Sequence, residues 1–242
     1  AKIDVYKEGV HQFSVPQEIV LTRVPLVLLH GLGDNATCWQ SLKSKLINNG
    51  IYQEYQILNN PYVQTNTAAF KVNQSIATKR VSEIKSLYSR NKVVAEKVDL
   101  VGHSMGGILS RLHVQYEPNG TDDVHKLITV NTPHSGSEVG DFVAAHGWAQ
   151  YIAKKWQYKK EDIDAVYNLG VDNPETDNYL NNENYLSKME GIPVHAIVTD
   201  VDNAEWIVLK NNKIYKDGLL GLLQIIRGLG YDHPNEIGSS DL

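Results

Sequence analysis

Val-Asp-Leu-Val-Gly-His-Ser-Met-Gly-Gly-Ile-Leu-Ser-Arg, residues 98–111, is the stretch that decides the fold. Its opening, Val98–Gly102, is a short apolar run of the kind a strand buried on both faces requires. From Ile108 to Tyr116 the pattern reads as a helix. Between the two lies Gly-His-Ser-Met-Gly (102–106), a G-x-S-x-G pattern centred on Ser104. A strand that turns directly into a helix must do so very tightly, holding the serine in strained φ/ψ at the strand tip, and Gly102 and Gly106 remove side chains that would clash there. The bare pattern would arise by chance in roughly one chain in ten of this length. Its weight comes from the strand before it and the helix after it, the context in which such a serine becomes a nucleophile.

Upstream, Val-Pro-Leu-Val-Leu-Leu-His (24–30) is a second buried strand, followed at once by His-Gly-Leu-Gly-Asp (30–34). Gly31 and Gly33 let the backbone pass close to a reacting carbonyl, so this loop can aim an N–H at the oxygen as it becomes negative. The two expected oxyanion donors are the N–H groups of Leu32 and Met105. Further strands are read at Lys126–Asn131 and Ile192–Thr199, with a weaker candidate at Tyr55–Leu58. In the segment 73–90, Ala77, Val81, Ile84 and Tyr88 form an apolar stripe on one helix face. Strands alternating with helices imply an α/β fold, a mostly parallel sheet covered by helices on both faces.

The chain of 242 residues is long enough for a single domain, 1–242, with a full core. Residues 141–190 are rich in Tyr, Trp, Asn and Lys, with a helix read at 141–156. This insertion of roughly 50 residues is too long for a bare connection, so a lid or cap is expected there. Phe142, Val143, Trp148, Ile152 and Trp156 would give it an apolar side, and the apolar segment 218–230 reads as a buried or interfacial helix, too short for a membrane span. The charge of −5 offers no attraction to nucleic acid. One cysteine, Cys38, excludes an internal disulfide; beside Trp39 it reads as a helix packing residue. No closely spaced His or Cys ligand set suggests a metal, and no cofactor is expected.

The runs VPLVLLHGLGDN (24–35), VDLVGHSMGGILSR (98–111) and KLITVNTPHSGS (126–137) resemble bacterial lipases and esterases of the α/β-hydrolase superfamily. The resemblance covers the first half well and the second half loosely. It implies the α/β-hydrolase fold, a Ser-His-acid mechanism and small-molecule or lipid ester substrates, with transient contact at a lipid interface and no transmembrane segment. Thioesterase or amidase chemistry would use the same serine, and a non-catalytic binding protein would keep the fold without the reaction. An opening Ala suits a chain matured by signal removal or a trimmed one; a secreted bacterial protein is favoured over a cytoplasmic one.

In this fold the triad runs Ser, acid, His along the chain. Asp241, in Ser240-Asp241-Leu242, resembles the acid run of such lipases and is favoured; Asp200 or Asp202, just after the strand 192–199, is the alternative. Nine histidines are present, none after Asp241. His30, His103 and His134 read as structural residues of their turns, His103 directed away from Ser104, and His195 as a satisfied core histidine. With Asp241 as acid, the base lies past Leu242 and the sheet lacks its closing strand; with Asp200 or Asp202, His233 completes the triad.

Overall fold

The computed structural model describes residues 2–16, 21–147, 150, 163–171 and 187–198. Its centre is a parallel sheet of five strands in the order β4-β3-β5-β6-β7. These are β3 (Leu26–Leu29), β4 (Ile57–Leu58), β5 (Val98–His103), β6 (Val124–Val130) and β7 (Val194–Ile197). Each of the five strand expectations falls on one of these strands, with no end moved by more than two residues. In β3 all four residues are buried, and in β5 the first five are. That is why these two carry unbroken apolar runs and were legible without alternation.

The two faces of the sheet bury different side chains, as the twofold alternation of a strand dictates. Val27, Leu29, Val98, Leu100 and Leu127 pack on one face with Ala77, Val81, Ile84 and Tyr88 of α3 (Ser75–Arg90). The whole predicted stripe of α3 is buried there. Leu26, Leu28 and Val101 pack on the opposite face with Trp39 and the partly buried Leu46 and Ile47 of α1 (Gln40–Asn48). At about 1.5–3 kcal/mol for each fully buried Leu, Ile or Val side chain, these two layers are the main favourable contribution to folding. A short helix α2 (Phe70–Asn73) precedes α3. On the α3 side also lies α4 (Met105–Tyr116), in which Met105 to Gln115 are all buried. After α4 a single turn, α5 (Gly120–Asp123), leads into β6.

Three differences from the sequence reading stand out. A hairpin of β1 (Lys2–Lys7) and β2 (Val10–Pro16) forms a separate antiparallel pair, closed by Glu8 and Gly9, both at positive φ. That pair of conformations is the one a two-residue hairpin turn demands. His195 is not a core histidine: Val194, His195 and Ile197 of β7 are exposed, because among the described residues β7 has a neighbouring strand, β6, on one side only. Cys38 is exposed as well, in a short turn at Ala36–Trp39 whose packing residue is Trp39. Of the expected insertion, α6 (Glu138–Ala145) and α7 (Asp164–Asn168) are described. Trp148, Ile152, Trp156, most of 172–190, the segment 218–230, Asp200, Asp202, His233 and Asp241 lie outside the described residues.

Candidate active site

Ser104 stands between the end of β5 and the start of α4 with φ 51° and ψ −123°. An L-residue adopts positive φ only under compulsion, and the surrounding backbone supplies it. A Cβ on Gly102 would lie 2.3 Å from the Gly107 nitrogen, and one on Gly106 would lie 2.4 Å from the Leu29 carbonyl oxygen. Neither contact is physically tolerable, so both glycines of the pattern are required by close approach. Ser104 N–H donates to the Val130 carbonyl at 2.9 Å, which ties the turn to β6. Ser104 as a whole is 8% exposed.

The glycine loop after β3 lies directly against this serine. A Cβ on Gly31 would stand 3.0 Å from Ser104 Cβ and 3.1 Å from His103 Nδ1. His103 therefore lies beside the same glycine as Ser104, with no hydrogen bond to the serine. Among the described residues, the N–H groups of Leu32 and Met105 meet no acceptor in the protein. For Met105 the reason is positional: it opens α4, and the first N–H groups of a helix have no carbonyl four residues earlier to bond. Two undirected N–H groups thus flank the serine, on the loop and at the helix N-terminus, where the partial positive charge of the helix adds to them.

The loop is held from behind by side chains that no local pattern announces. Asn66, 3% exposed, accepts from the Gly33 N–H through Oδ1 and donates from Nδ2 to the Gly31 carbonyl at 3.0 Å. Tyr62 stacks on the His30 ring at 4.1 Å between centroids, and its hydroxyl donates to the His30 carbonyl at 2.5 Å. The Tyr62 N–H donates to His30 Nε2 at 3.2 Å, so the proton of the neutral ring is on Nδ1, which donates to the Gly31 carbonyl at 3.0 Å. Burial, the largest influence, holds His30 below its ordinary pKa and keeps it neutral. Its two nitrogens are both engaged, which fits its reading as a structural residue of the turn.

Five further described histidines have partners of their own. His134 Nδ1 faces Arg111 Nη1 at 3.2 Å and its Nε2 faces Thr129 Oγ1 at 3.0 Å; burial, reinforced by the Arg111 charge, pushes its pKa down to about 4. His113 is fully buried on α4 against Thr78. His125 pairs with Asp99, His146 with the Phe142 carbonyl, and His11 with Ser14 on the hairpin. His195 is exposed on β7. Among the described residues, no histidine is hydrogen-bonded to Ser104. Nor do these residues hold any cluster of three His, Cys, Asp or Glu suited to a metal ion.

The insertion touches the site through α7. Ala165 and Leu169 pack with Tyr62, Phe70, Met105, Ile108, Leu109 and Leu112, and Leu32 packs at the margin of the same cluster. Three hydrogen bonds fix this segment: Ala165 N–H to the Thr67 carbonyl at 3.0 Å, Phe70 N–H to Asn168 Oδ1 at 2.9 Å, and Ser137 N–H to the Leu169 carbonyl at 2.6 Å. The glycine loop after β3, the first turn of α4 and the segment around α7 therefore share one apolar cluster.

Comparison with known proteins agrees with this geometry. Residues 20–214 match the model of a family described as the PGAP1-like alpha/beta domain. Triacylglycerol lipase 2 of Saccharomyces cerevisiae is 38% identical over 61 residues, which is 25% of this chain and 18% of the yeast protein. A triacylglycerol lipase of Pseudarthrobacter phenanthrenivorans is 29% identical over 128 residues, 50% of this chain and 37% of the relative. The match thus spans little more than a third of these relatives at most, and it reaches yeast as well as bacteria, so the expected bacterial character has only loose support. Among solved structures, the mature Bacillus licheniformis lipase BlEst2 superposes with a TM-score of 0.53 over 73% of this chain and 66% of that one, at 23% identity. The architecture is that of the α/β-hydrolase lipases.

Proposed function

The chain belongs to the family of the PGAP1-like alpha/beta domain, and from that membership we propose that it hydrolyses carboxylic esters, lipid esters of the acylglycerol kind, through an acyl-enzyme on Ser104. The observation that carries the reading is Ser104 at φ 51°, with the Gly31 backbone against its Cβ. Ser104 Oγ attacks the ester carbonyl and passes its proton to a histidine, giving a tetrahedral oxyanion. The Leu32 and Met105 N–H groups stabilise that charge. The intermediate collapses, the alcohol leaves with the proton, and water releases the acid by the same steps in reverse.

No described histidine is bonded to Ser104; Asp241 is the favoured acid, and with Asp200 or Asp202 as the acid instead, His233 serves as the base. The names of the relatives, triacylglycerol lipases, support the acylglycerol substrate. The cluster that α7 shares with Met105 supports a cap role for 141–190. Labelling with a fluorophosphonate tests the nucleophile: the wild type should be labelled and Ser104→Ala should not. Persistent labelling of Ser104→Ala overturns the assignment. Loss of label in His233→Ala would make His233 the base, and full labelling would exclude it. A lipase should show a sharp rise in rate above the solubility limit of its substrate. A second reading, a non-catalytic binding protein, is favoured by the lack of a histidine bonded to Ser104 among the described residues; it predicts that no serine-directed probe reacts.

A further inference from the structure

We propose that Asn66 is a positioning residue for the oxyanion site, acting by fixing the plane of the Gly31–Leu32 peptide; the inference rests on the esterase reading and assigns a residue to the same site. The carbonyl of Gly31 and the N–H of Leu32 belong to one planar trans peptide, so they point in opposite directions. Whatever pins the carbonyl also aims the N–H. The Gly31 carbonyl receives Asn66 Nδ2 at 3.0 Å and His30 Nδ1 at 3.0 Å, and more distantly the Asp34 N–H at 3.4 Å. The Leu32 N–H is thereby turned away from Asn66.

Asn66 does this from both sides of Leu32. Its Oδ1 takes the Gly33 N–H, so the peptides before and after Leu32 are tied to one planar amide. A primary amide is the group that suits the task, because it offers one acceptor and one donor on neighbouring atoms. Glycines at 31 and 33 make the loop flexible by composition, and Gly31 is the residue whose open face meets Ser104. Without a clamp the Gly31–Leu32 peptide would be free to rotate, and a donor that must reorganise at the moment of reaction loses most of its value. Asn66 is buried and forms its own further support: its segment is anchored by Asn73 Nδ2, which donates to the Thr65 carbonyl at 2.8 Å.

The test uses the full-length protein, matched esters and thionoesters, and the variants Asn66→Asp and Asn66→Ala. Asn66→Asp keeps the shape and the acceptor for Gly33 but sets a carboxylate against the Gly31 carbonyl, two acceptors facing one another. Each folded variant should lose about 10- to 100-fold in kcat with KM within about threefold. The preference for ester over thionoester, which reports how well the site holds an oxyanion, should shrink along with kcat; a purely structural role would leave that ratio unmoved. Should Asn66→Ala fail to fold, Asn66→Asp reads the same contact at conserved volume. A folded Asn66→Asp with wild-type kcat and wild-type ester preference overturns the proposal while leaving the esterase reading intact. A wild-type protein that neither turns over esters nor labels at Ser104 overturns both.

Discussion

At the scale of single residues, the backbone of Ser104 makes a prediction that separates strain from chemistry. Ser104→Ala and Ser104→Gly both delete the hydroxyl, but only glycine relieves a φ of 51°. Glycine ordinarily lowers stability by about 0.5–1 kcal/mol relative to alanine within regular elements. Here the order should reverse, with Ser104→Gly more stable than Ser104→Ala by about 1 kcal/mol in chemical denaturation. The ordinary order would mean the turn imposes no strain. Gly106→Ala runs the opposite way: its Cβ would sit 2.4 Å from the Leu29 carbonyl, so β3 and α4 must separate. A loss of about 3 kcal/mol or more is expected, with overpacking added to the unfavourable backbone change, and unchanged thermal stability would show that the two elements do not approach as described. Ser104, Gly102 and Gly106 were legible because their demands are local, within one tight turn. Asn66 and Tyr62 were not, because they reach residues 32 to 35 positions away and no spacing along the chain encodes such a pairing.

Among elements, the junction of α4 with the end of β6 carries a pH dependence. His134 is half-buried between Arg111 of α4 and Thr129 of β6, with a folded pKa of about 4 against an ordinary value of 6.5. Between these values the unfolded chain binds a proton that the folded chain refuses. Stability from this group is therefore complete above about pH 6.5 and lost as pH falls toward 4. His30, His103 and His113 are shifted in the same direction by burial, so the slope has several contributors. His134→Gln should make the fall in stability between pH 6.5 and 4 shallower without removing it, as measured by denaturant unfolding at each pH. A slope equal to that of the wild type would show that His134 is not held neutral. The same scale explains what the sequence disclosed of the elements. Strands buried on two faces announce themselves through composition, whereas the hairpin β1–β2 leaves Tyr6, Val10 and Phe13 exposed and carries no unbroken apolar run. Its local signal was the Glu8-Gly9 turn, which alternating charge obscured.

For the whole molecule, the question is whether stability and activity depend on the same parts of the core. Ile84 lies on α3 under the sheet, fully buried among Val27, Leu100 and Tyr88, in a cluster that contains neither Met105 nor Leu32. Leu169, 5% exposed, packs with Met105 and Tyr62 in the cluster whose margin holds Leu32. Truncating either side chain to alanine leaves a cavity and should lower stability by about 2–5 kcal/mol. The two losses should differ in function. Ile84→Ala should retain wild-type kcat/KM at temperatures where it is folded, because its cavity opens behind the strands. Leu169→Ala should lower kcat/KM by about tenfold, because its cavity lies against Met105 and near Leu32, the proposed oxyanion donors, and a shift well under 1 Å there weakens the stabilised charge. Urea unfolding and ester kinetics on the two variants measure both quantities side by side. Equal activities would mean that the insertion only stabilises the fold; an activity loss confined to Leu169→Ala would make the packing of 163–171 part of what holds the reacting groups in place.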